Sequence, residues 1–92
     1  MAINFRIHAR ETGDQSMDVR LFGDFDASSA CELINVLDER VRRTGKVAID
    51  TDGLRTVNAF GLEVFVPEMT RMQNKRADIE VTGRFSEAFR EL

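Results

Sequence analysis

The sequence predicts a small α/β domain in which an N-terminal β-hairpin leads into β-α-β-α, with the whole order β-β-α-β-α-β-α around a mixed sheet. Three observations carry this. Two early segments alternate apolar and polar residues with period two. Two later segments repeat apolar residues at helical spacing. Short β-rich runs at 47–49 and 78–82 each precede a helical stretch, which calls for right-handed crossovers. Ninety-two residues are enough for one domain, 1–92, with a single modest core.

Each element has its own signal. Ile3, Phe5, Ile7 and Ala9 alternate with Asn4, Arg6, His8 and Arg10, a half-buried strand whose polar side faces water. Residues 11–16 read as a turn, and Met17, Val19 and Leu21 resume the alternation up to Gly23, expected to end the second strand. Asp26 is placed to cap a helix over roughly 27–44, with Ala30, Leu33, Ile34, Leu37 and Val41 on one stripe. Arg42 and Arg43 suit its negative end, and Gly45 is the stop. Val47-Ala48-Ile49 lacks alternation, as in a strand covered on both faces, and Asp50-Thr51-Asp52-Gly53 reads as the turn that closes it. Leu54 to Val57 then lead into a second helix carrying Leu62, Phe65, Met69 and Met72. Pro67 lacks a donor for the residue 63 carbonyl and is expected to kink that helix, unless it falls in the first turn. Asp78 to Thr82 form a last strand, and Phe85, Ala88, Phe89 and Leu92 a short amphipathic helix.

Composition excludes several classes. Thirteen basic against sixteen acidic residues give a net charge of −3, and the two halves of the chain are alike in balance. A basic stripe is missing, so nucleic-acid affinity has no electrostatic source. Trp and Tyr are absent and the seven Phe are scattered, which disfavours a base-stacking platform. A lone cysteine, Cys31, permits neither an intrachain disulfide nor a cysteine zinc site, and reads as a small buried residue. The single His8 reads as a solvated strand residue rather than a catalyst. With no apolar leader segment and no stretch of about 18 apolar residues, the expectation is a cytoplasmic protein without membrane insertion.

Two constellations carry chemistry. Val47 to Leu54 ends in Asp50-Thr51-Asp52-Gly53, which resembles the first motif of haloacid-dehalogenase-type phosphotransferases, with a nucleophilic Asp, a second acid-base Asp and magnesium nearby. The resemblance stops at Leu54, where that motif has Thr, and no downstream acidic pair completes the metal site. The plain alternative is an acidic turn whose carboxylates bond local amides. The hydroxyls of Ser28 and Ser29 follow the Asp26 cap, where they satisfy first-turn amides in a place that would also tolerate phosphate.

The order of elements brings a wider resemblance. Val19 to Ala27, reading Val-Arg-Leu-Phe-Gly-Asp-Phe-Asp-Ala, resembles the opening of STAS domains, the anti-sigma-factor-antagonist family. Ile49 to Leu62 is similar to that family's second signature, which ends Asp-Ser-Ser/Thr-Gly-Leu, and the strand from Ile79 to Thr82 follows in order. The resemblance implies a single STAS-like domain that binds an anti-sigma factor or a kinase-type signalling protein, with no catalysis and no cofactor, and with a homodimer as a further option. It places the partner surface at Asp26, Ser28, Asn58, Ala59, Phe60, Gly61 and Leu62. In that family the Ser or Thr before the signature Gly is phosphorylated, and a helix N-terminus is a suitable place for the added charge. Here Asn58 replaces the signature Asp, Ala59 the next Ser, and Phe60 the phosphoacceptor, so the usual switch is expected to be lost. Two other readings stand beside this one. They are a STAS-type accessory subunit of a transporter such as a lipid-transport ATPase complex, and a magnesium-dependent phosphotransferase using Asp50 and Asp52.

Overall fold

A computed structural model describes residues 4–13, 15–41, 45–75 and 77–90. Strand β1 (Arg6–Gly13) and strand β2 (Ser16–Phe25) form an antiparallel hairpin. The connection is tighter than expected, since both strands run into the segment read as a turn. Helix α1 (Ala27–Val41) follows, then β3 (Lys46–Val57), α2 (Ala59–Asn74) and β4 (Asp78–Thr82). The strands lie in the order β1-β2-β3-β4, with β2, β3 and β4 mutually parallel.

Right-handed crossovers that advance in one direction across a sheet put their helices on the same face. Burial agrees with that arrangement. Val19, Leu21, Ile49, Leu54, Ile79 and Val81 point inward to meet Leu33 and Leu37 of α1 and Phe65 and Met69 of α2. Arg6, His8, Arg10 and Arg20, on the opposite side of the sheet, are exposed. The strand at 47–49 is therefore covered on one face, not both: Val47 and Ile49 are buried while Ala48 is half-buried. At the centre is Phe25, whose ring lies 6.0 Å from Phe5, 5.9 Å from Phe65 and 5.2 Å from Phe89, between centroids. Phenylalanines scattered in sequence thus gather in the core, where tilted and edge-on contacts suit their quadrupoles.

Three expectations need correction. Gly23 does not end β2. It takes a φ of +92° inside the strand, beside a register shift, and the backbone of Asn4 crosses where a Cβ would stand. Asp50 to Gly53 is not a turn either; β3 continues through it to Val57, with the irregularity taken up by a shift in pairing with β2. Thr51 supplies the reason, because its buried hydroxyl donates to the Thr82 carbonyl at 2.7 Å and holds the chain in the sheet. The last segment, finally, is no α-helix. Residues 84–90 form successive turns with i→i+3 bonds such as Phe89 N–H to the Ser86 carbonyl at 3.2 Å, the tighter geometry of short helical pieces. Phe89 is nevertheless fully buried, and Leu92 lies outside the described residues.

The helix expectations fare better. The stripe at Ala30, Leu33, Ile34 and Leu37 turns inward as read, while Arg42, Arg43 and the Val41 side chain lie outside the described residues. Cys31 is exposed, against expectation. It stands about 100° around the helix from Ala30, away from the stripe. Pro67 is the ninth residue of α2, not in its first turn, and the helix continues through it to Asn74. Its position is exposed, so the carbonyl that loses a donor there is on the wet side of the helix.

Candidate partner-binding site

Both helices begin where a parallel strand ends, so their N-termini meet at the carboxyl end of the parallel strands, the usual place for sites in such folds. Asp26 caps α1: its Oδ1 accepts the Ser29 amide at 2.9 Å and the Ser29 hydroxyl at 3.1 Å. The hydrogen bond from the Ser29 backbone amide holds the Asp26 carboxyl below the usual carboxylate range. Ser29 is buried, and its one hydroxyl proton is shared between Asp26 and the Asp24 carbonyl, the latter at 2.8 Å, whereas Ser28 is exposed.

Asn58 caps α2 in the same manner. Its backbone is extended, with φ −90° and ψ 139°, and its Oδ1 accepts the Phe60 amide at 2.8 Å. The Asn58 amide donates to the Phe25 carbonyl at 2.8 Å, which fixes the start of α2 on the end of β2. Gly61 joins the two caps. A Cβ there would lie 2.9 Å from the Asp26 carbonyl and 3.0 Å from the Phe25 ring, so only glycine allows this approach. Asp26, Asn58 and Gly61 are therefore contiguous. Ala59 is exposed, Leu62 is half-buried, and Phe60 projects with 68% of its surface in water.

A second set of side chains borders this end of the sheet and gave no sequence signal. Asp24 accepts from Arg55 Nε at 3.0 Å, from Arg55 Nη2 at 2.6 Å and from the Thr56 hydroxyl at 2.8 Å. The Arg55 guanidinium, with Thr56 beside it, holds the Asp24 carboxyl below its ordinary value. These residues are more than thirty positions apart, and the shifted register that brings them together cannot be read locally. Beside them a cleft of about 490 Å³ is lined by Asn4, Arg6, Phe22, Gly23, Gly53 and Arg55.

The remaining candidates do not converge here. Asp50 Oδ1 accepts the Asp52 amide at 2.9 Å, and Asp52 accepts the Arg84 amide at 2.8 Å. Asp50 thus bonds a local amide as the plain reading held, whereas Asp52 reaches a backbone amide 32 residues away, and neither lies in the turn that reading supposed. His8 is exposed on the open face of the sheet, its ring 4.9 Å from that of Phe22. Among the described residues no helix is long and apolar enough to cross a membrane.

No family model matches the sequence, and no curated protein does. Solved structures do match. The STAS domain of an antisigma-factor antagonist from Rhodobacter sphaeroides is similar with a TM-score of 0.70 at 12% identity, over 87% of this chain and 87% of its own. The Bacillus cell fate determinant SpoIIAA, in its phosphorylated form, gives 0.66 at 8% identity, over 90% of this chain and 95% of its own. Mglu in its L-glutamate binding form gives 0.74 at 10% identity, over 84% of this chain but 26% of that much longer one. Several matched structures are anti-sigma factor antagonists. At such identities the likeness speaks for architecture alone. The chain has the STAS-type, SpoIIAA-like fold.

Proposed function

We propose that this chain is a non-catalytic protein-binding module of the anti-sigma-factor-antagonist type, docking on a kinase-type anti-sigma factor through the joined N-termini of α1 and α2. One observation carries the reading. Phe60 leaves 68% of its surface in water at a position fixed by the Asn58 cap and the buried Gly61. An aromatic ring so exposed adds little to folding, whereas aromatic side chains dominate interface energies. Around it Ala59, Ser28 and half-buried Leu62 offer a small apolar surface with a polar rim.

The binding is constitutive at the usual switch position. Asn58, Ala59 and Phe60 have no hydroxyl, and the nearest one upstream, on Thr56, is bonded to Asp24. The test is an NMR titration of isotope-labelled protein with a kinase-type anti-sigma factor from the same host, with ATP added at the end. Shift changes should concentrate at 26–28 and 58–62, and no phosphate should appear by mass spectrometry within 58–62. Shifts confined to the opposite end of the sheet would remove the proposal. Phosphate on Thr56 with loss of binding would mean the switch has moved.

A further inference from the structure

The helices cover one face of the sheet, and the other carries charge in an ordered way. At one edge β1 presents exposed Arg6, His8 and Arg10; at the other β4 presents exposed Asp78 and Glu80. Between them the strand register sets three rows across the face. One reads Arg10, Asp18, Ala48, Glu80, the next His8, Arg20, Asp50, Thr82, and the third Gly13, Ser16, Lys46, Asp78, which puts a cation beside Asp78. The face is thus basic at the β1 edge, acidic at the β4 edge, and mixed between.

Such a face is complementary to itself in one orientation only. A two-fold axis parallel to the strands lays β1 of one copy over β4 of the other, and β2 over β3. Arg10 then meets Glu80 of the second copy and Arg20 meets Asp50, each pair occurring twice because the contact is isologous. Lys46 is opposed only to Ser16 of the second copy. An axis across the strands would stack β1 on β1 and bring arginine against arginine, which is repulsive. We propose that two copies of this chain associate face to face through the open side of the sheet, in the first of these orientations. Shallow hollows of about 180 Å³ among His8, Arg10, Asp18 and Arg20, and about 260 Å³ along β2, β3 and β4, leave room for the opposing side chains. Four strands about 4.8 Å apart and about five residues deep give each copy a flat area of roughly 300 Å². That is below the size of a stable interface, so the dimer is weak and depends on salt. It uses neither Phe60 nor the helix N-termini, and is independent of the partner site.

Sedimentation velocity on the full chain tests this, at about 1 mM and about 10 µM protein in about 20 mM and about 500 mM NaCl. A dimer should appear at high protein and low salt and vanish at high salt. The Arg10→Glu/Arg20→Glu variant should be monomeric throughout, and so should Asp50→Lys/Glu80→Lys, while an equimolar mixture of the two should associate. Circular dichroism checks that each variant is folded. Should Asp50→Lys disturb β3, Arg10→Glu mixed with Glu80→Lys alone applies the same test. Phe60→Ser should dimerise like the parent chain. A monomer at about 1 mM in low salt, a dimer indifferent to salt or to the charge swaps, or a mixture that stays apart would each overturn the proposal, as would a dimer lost in Phe60→Ser.

Discussion

Asp24 and Asp26 stand two residues apart, and each is kept ionised by a different device: Arg55 for the first, the free amides of α1 for the second. Both folded-state carboxyls titrate below the ordinary value of 3.8. Their contribution is therefore present above that pH and is lost as pH falls through the lowered folded values. Thermal melts between pH 6 and pH 2.5 should show stability dropping below about pH 4. The Asp24→Asn/Asp26→Asn double variant should melt lower at neutral pH and show a flatter acid limb. An acid limb unchanged in the variant would assign the loss to other carboxyls. Of this pair only Asp26 was legible in the sequence, because a cap is a local feature while the Asp24 partner arrives from β3. Phe60 was legible too: two residues before Leu62, at about 100° per residue, it falls about 160° round the helix from that residue.

Among the elements, β3 departs most from expectation. Asp, Asp and Gly within four residues signal a turn when taken alone. Tertiary structure overrides them through Thr51, whose hydroxyl donates to the Thr82 carbonyl and accepts the Phe85 amide at 3.1 Å. Replacing Thr51 with Val keeps the shape and strands both partners, so Thr51→Val should cost about 1–3 kcal/mol in chemical denaturation. Amide exchange should rise chiefly at Thr82 to Phe89, and an unaltered exchange pattern would show that Thr51 does not hold that segment. The terminal run misled for a related reason. Phe85, Ala88 and Phe89 have helical spacing, yet only four residues lie between the fixed points at Arg84 and Phe89, and tighter turns fit them. Helix α2 offers a gain. Pro67 is exposed in its interior, so Pro67→Ala restores a backbone donor and should stabilise the chain by about 2 kcal/mol, seen as a higher urea midpoint. An unchanged midpoint would mean that the helix is already adapted to the proline.

At the scale of the molecule, a hairpin followed by β-α-β-α calls for right-handed crossovers onto a mixed sheet, and that much was legible. Both helices share one face because the strands advance in one direction, an order the residues do not show and one at odds with reading 47–49 as covered on both faces. What could not be read was which side chains the sheet's shifted registers would pair, as at Asp24 and Arg55. The molecule has the SpoIIAA-like fold, and on the reading proposed above the exposed Phe60 at the start of α2 is its anchor for a partner. Calorimetric titration of the parent chain and of Phe60→Ser with the host's kinase-type anti-sigma factor, beside thermal melts of both, tests it most directly. Binding should weaken by about 2 kcal/mol or more, roughly thirtyfold in Kd, with Tm within about 3 °C of the parent. A variant that binds as tightly as the parent, or one whose Tm falls steeply while affinity is kept, would contradict it.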